Sequence, residues 1–138
     1  MKKLLGIALG VLFFATIGFC HEVIKCHTKI IYEIFKDKFT EPIEVCYLLT
    51  TDATLYRVTS HDEYSIRFNM WDLIKTMKRN GHDFSDVLII IHNHEAGTSR
   101  KFSDLDIQTW YNFKALGFTG NYYLFYEGNR QIYELIED

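Results

Sequence analysis

Apolar and polar residues follow two periods along this chain, and those periods predict its elements. From Glu22 to Phe39 apolar positions recur at helical spacing, at Val23, Ile30, Ile31, Ile34 and Phe35, with Lys36, Asp37 and Lys38 on the wet side. Pro42, the single proline, ends this helix, because the residue before a proline is pushed out of helical geometry. Glu44 to Thr50, Leu55 to Ser60 and Glu63 to Phe68 read as strands, with Thr51-Asp52-Ala53 turning between the first two. Asn69 caps a helix predicted from Met70 to about Arg79, with Trp71, Leu73, Ile74 and Met77 as its apolar face and Asn80-Gly81 as its stop.

The strongest feature of the pattern follows. Val87 to Ile91 is an uninterrupted, β-branched-rich run of the kind that fills a buried central strand. After it the spacing predicts a helix from Ser103 to about Leu116, with Leu105, Trp110 and Phe113 inward and Gly117 as its stop. Tyr122 to Tyr126 and Gln131 to Ile136 then form a hairpin across Glu127-Gly128-Asn129. This order is α+β, with a mixed sheet flanked by helices. No repeat, linker or low-complexity segment divides the chain, so residues 21–138 form one domain.

Composition adds a compartment. Met1-Lys2-Lys3 precedes an uncharged run from Leu4 to Phe19, the layout of a signal peptide, with Gly18 and Cys20 small enough to flank a cleavage site after residue 20. The run is near the lower limit for a membrane span, so an anchor through residues 4–20 is the alternative. Either way the domain is exported: periplasmic, secreted or membrane-attached. Cleavage takes Lys2 and Lys3 from the 15 basic residues, leaving 13 against 18 acidic ones, and the formal charge moves from −3 to −5. With no basic tract, nucleic acid is not an expected partner. Of the three cysteines, Cys20 leaves with the leader; Cys26 and Cys46 either pair or stay as apolar core thiols.

The chemistry gathers at the end of the central strand. Strand side chains alternate, so in His92-Asn93-His94 the two imidazoles project to one side. After a loop containing Gly97 comes Ser103-Asp104-Leu105-Asp106, a helix-start signature that puts a carboxylate in the first turn. Two neutral imidazoles and a carboxylate are the ligand set of a catalytic zinc, with a fourth position left for water. Arg100-Lys101 in the loop are either solvated or suited to steering an acidic substrate group, and His61 and His82 read as surface residues.

His92, His94, Ser103 and Asp106 together resemble the JAMM motif of the JAB/MPN metalloproteases: a Glu, then His-x-His-Pro, then Ser-x-x-Asp. The likeness runs from Ile30 to the C-terminus, with Glu95 in the usual proline position. It implies a JAB/MPN-like, cytidine-deaminase-like fold: a curved mixed sheet flanked by helices, with Zn2+ at one edge. It also implies hydrolysis of a peptide or isopeptide bond in a protein or peptide substrate. The family's general base is a glutamate opening the first core strand. Glu44 fits that place, since Glu44 to Leu49 looks like the family's Glu-x-x-x-Leu-Leu segment, and Glu41 is the rival. Ser103 then both caps its helix and donates to the oxyanion. Two other readings stand beside this one: a non-catalytic JAB-like binding module, and a DNA-associated protein like RadC, whose segment His92-Asn93-His94 also resembles.

Overall fold

The computed structural model describes residues 29–59 and 70–136. The leader, Cys26, His61 and the predicted strand Glu63 to Phe68 lie outside these residues. A helical segment, α1 (residues 29–35), is followed by β1 (Cys46–Thr50), β2 (Leu55–Val58), α2 (Met70–Arg79), β3 (Val87–His94), α3 (Asp104–Ala115), β4 (Asn121–Tyr126) and β5 (Gln131–Leu135). Among the described residues the fold is mixed α and β, with one five-stranded sheet flanked by helices. Among the described residues no helix is long and apolar enough to cross a membrane.

The strand order is β2-β1-β3-β4-β5, and every pairing is antiparallel except β3 with β4. Parallel neighbours need a long crossover, and α3 lies within it. β3 pairs with β1 and β4 on its two edges and has a core on each face, which is why its sequence is a continuous apolar run rather than an alternating one. Gly120 leads into β4, where an added Cβ would lie 2.1 Å from the Leu88 carbonyl oxygen, so only glycine lets the two backbones approach.

Two cores form, one on each side of the sheet. Cys46, Leu48, Ile90 and Tyr122 pack with Leu73 and Met77 of α2 and Trp110 and Phe113 of α3. Tyr47, Ile89, Ile91, Tyr123 and Phe125 pack with Ile31 and Phe35 of α1 and with Phe39. Phe39 stacks on Phe125 at 5.1 Å.

Several apolar positions differ from the expected pattern. Ile30, Ile34, Trp71 and Leu105 were expected inward and are exposed, while Ile31, Phe35, Leu73 and Met77 carry the contact. Each helix buries only the stripe that faces the sheet, narrower than the span of its apolar residues. His82, expected at the surface, is buried. Its Nδ1 lies 2.5 Å from the Tyr56 hydroxyl and its Nε2 2.8 Å from Asp52 Oδ2. Asp52 in turn accepts from Thr50 Oγ1. The Tyr56 hydroxyl and the Asp52 carboxylate satisfy both ring nitrogens, so this histidine ties the β1–β2 turn to the end of α2.

Burial at Met77 is nearly complete, whereas Ile30 is 59% exposed. Met77→Ala is expected to cost about 2–5 kcal/mol and Ile30→Ala within about 0.5 kcal/mol. Urea midpoints of the two variants test this contrast.

Candidate metal centre

Strand alternation places the first two side chains. Cys46 pairs with His92, and His92 with Leu124, so β3 carries its histidines between β1 and β4. His92 and His94 project together, with ring centroids 5.1 Å apart. The third side chain comes from α3. Ser103 is the N-cap: its Oγ accepts the Asp106 N–H at 3.0 Å, and Asp106 Oδ2 accepts the Ser103 N–H at 2.8 Å. This reciprocal box starts the helix and turns the Asp106 carboxylate back toward the strand.

The carboxylate meets both imidazoles. Asp106 Oδ1 lies 3.2 Å from His92 Nε2, and Oδ2 lies 3.1 Å from His94 Nε2. One potential ligand atom from each of His92, His94 and Asp106 lies within 4.8 Å of the others, so the three could hold a metal ion. His94 Nδ1 donates to the Ser99 carbonyl at 2.7 Å in the neutral ring, which leaves the Nε2 lone pair facing the group. His92 is 2% exposed; its Nδ1 makes no hydrogen bond, and its Nε2 faces Asp106 Oδ1. The Nε2 atoms of both histidines face the Asp106 carboxylate oxygens at 3.2 and 3.1 Å, and two imidazole nitrogens with one carboxylate are the donors a divalent cation takes. The donor set therefore fits a metal.

Glu44 and Ser103 line the same cavity of about 270 Å3 as the three candidate ligands. Glu44 Oε1 is 4.0 Å from His94 Nε2, and its side chain is 14% exposed. Glu41 points elsewhere, to Arg57 Nη2 at 2.5 Å on the surface. Glu44 stands two residues before β1 rather than within a strand. Lys101 lines the cavity and is exposed. Phe102 and Tyr122 wall the site beside His92, at 5.9 and 5.6 Å between centroids. Cys46 also lines the cavity. Burial, with the Asp106 and Glu44 carboxylates nearby, pushes its thiol pKa up, so it remains protonated and serves as apolar wall. Sequence reasoning did not single out Asn93 or the wall residues Phe102 and Tyr122. The position of Asn93 between two histidines was the one available signal.

No family model matches the chain, and no curated protein matches its sequence.

Electrostatics bind the three groups to one another. Burial pushes the Asp106 carboxyl up, but the His92 and His94 imidazoles and the Ser103 N–H outweigh it and hold the group well below the usual carboxylate range. Burial pushes His94 down, while Asp106 and the Ser99 carbonyl raise it further, for a net upward shift. A depressed carboxyl stabilises the fold above its unfolded pKa and loses that contribution as pH falls. A raised imidazole stabilises below its unfolded pKa and loses that contribution as pH rises through the folded value. In the metal-free chain the group therefore contributes most between about pH 4 and 6.5. Asp106→Asn should flatten the stability profile on both sides of that window. Unfolding midpoints measured from pH 3 to 9 check this, and an unchanged profile would refute the coupling.

Proposed function

We propose that this chain is a zinc-dependent hydrolase of peptide or isopeptide bonds with a JAB/MPN-like fold. The observation that carries the reading is the convergence of His92 Nε2, His94 Nε2 and the Asp106 carboxylate, with Glu44 beside them. Neutral imidazole nitrogens with one carboxylate favour zinc. His92, His94 and Asp106 would hold the zinc, which when bound would supply Lewis acidity and acidify the attacking water. Glu44 takes a proton from the attacking water and returns it to the leaving amine. Its partial burial in the cavity and its distance from His94 support that role. Ser103 Oγ accepts from Asp106 N–H, which leaves its own hydroxyl proton for the substrate oxyanion. The hydrophobic leader adds export to the proposal, which makes an envelope peptide as suitable a substrate class as a ubiquitin-like protein.

Elemental analysis of the purified full chain should find one zinc, lost in His92→Ala. Glu44→Gln should keep the zinc and lose about 10²–10⁴-fold in kcat. Absence of zinc, or full activity in Glu44→Gln, would overturn the reading.

The two jobs of Ser103 separate by substitution. Ser103→Ala should lower stability by roughly 1 kcal/mol through the lost cap and lower kcat by about 10²–10³. Ser103→Asp caps well but cannot donate when ionised, so it should stay folded and nearly inactive. An active Ser103→Asp chain would show that the serine only starts the helix.

A further inference from the structure

Glu44 lies two residues before the start of β1. The β1–β3 ladder begins at Cys46; beyond it, among the described residues, a long 3.4 Å contact runs from the Asn93 N–H to the Val45 carbonyl. A base must be held within a fraction of an ångström of its working place. The position is supplied by Asn93, which is fully buried and lies on the sheet face opposite the two histidines. Its Oδ1 accepts the Val45 N–H at 2.7 Å, and its Nδ2 donates to the Ile43 carbonyl at 3.1 Å. These are the backbone groups on either side of Glu44. The side-chain amide thus acts as an extra peptide unit, continuing the ladder where the main chain departs from it. A third, longer contact joins Nδ2 to Glu127 Oε2 at 3.4 Å. Only one orientation of the amide satisfies an N–H donor and a carbonyl acceptor together, so the network fixes which atom is oxygen. Val45 faces the α1-side core, while Glu44 and Cys46 both line the candidate metal cavity. Thr59 Oγ1 also donates to the Glu44 carbonyl, at 3.0 Å.

We infer that Asn93 is a positioning residue: its amide clamps the main chain on both sides of Glu44 and sets the carboxylate beside the ligands that flank Asn93 in sequence. One dipeptide step of β3 thereby fixes metal ligands on one face and the base segment on the other. This inference rests on the hydrolase reading for its catalytic meaning, but the clamp can be measured without turnover.

In the full-length, zinc-bound chain, amide hydrogen exchange at Val45 should be as slow as at the paired amides of β1, although Val45 lies outside the strand. Exchange at the rate of an exposed loop amide overturns the clamp, and this measurement needs no variant to fold. Asn93→Ala should keep its zinc, speed exchange at Val45, and lower kcat by about 10²-fold, the scale of a small misplacement of a catalytic group. Because Asn93 acts through Glu44, the double variant Asn93→Ala, Glu44→Gln should be no slower than Glu44→Gln alone. Multiplying losses, or loss of zinc from Asn93→Ala, would show that Asn93 acts by another route and overturn the inference. A wild-type chain that binds zinc but hydrolyses nothing overturns the hydrolase reading instead, and the clamp then stands or falls on the exchange at Val45.

Discussion

The alternation of side chains at the end of β3 is the constraint on which the site depends. His92 and His94 fall on one face because a strand repeats every two residues, and Asn93 falls on the other for the same reason. A one-residue slip of β3 would exchange these faces and separate every group of the candidate centre. The strand is held against such a slip by its apolar run. Ile89 and Ile91 belong to one core and Ile90 to the other, so a shift would drive large side chains into the wrong layers.

The second element of the site uses no special chemistry to reach its place. Helix α3 starts with an ordinary capping box, and Asp106 is both a member of that box and the carboxylate facing the two imidazoles. The cap therefore orients the group: one carboxylate oxygen accepts the Ser103 N–H while both oxygens stay within reach of the histidines. Trp110 and Phe113 seat the rest of the helix against the sheet, so the carboxylate is fixed by packing as well as by hydrogen bonds.

Two buried histidines in this fold give opposite accounts of themselves. His82 is ringed by partners, with Tyr56 on one nitrogen and Asp52 on the other, and its role is to tie elements together. His92 is buried more deeply; its Nδ1 makes no hydrogen bond, and its Nε2 faces the Asp106 carboxylate and the second imidazole. An imidazole with a hydroxyl on one nitrogen and a carboxylate on the other is a structural tie, whereas two imidazoles turned on one shared carboxylate are a donor set.

Local pattern alone determined the order of the described elements, the central strand, the span of α2 and the helix start at Ser103, because each is set by residues within one or two turns of one another. Spacing also indicated that His92 and His94 share a face and that Asp106 sits in a first helical turn. Other features required the chain to close on itself. Which apolar residues of α1 and α2 are covered was decided by how the helices seat on the sheet, with Trp71 and Ile30 exposed and Met77 and Ile31 buried. Whether Glu41 or Glu44 approaches the histidines was decided by a turn outside any regular element, where no periodicity acts. The burial of His82 and the grip of Asn93 on residues about fifty positions away depend on partners distant in sequence, and no local pattern encodes them.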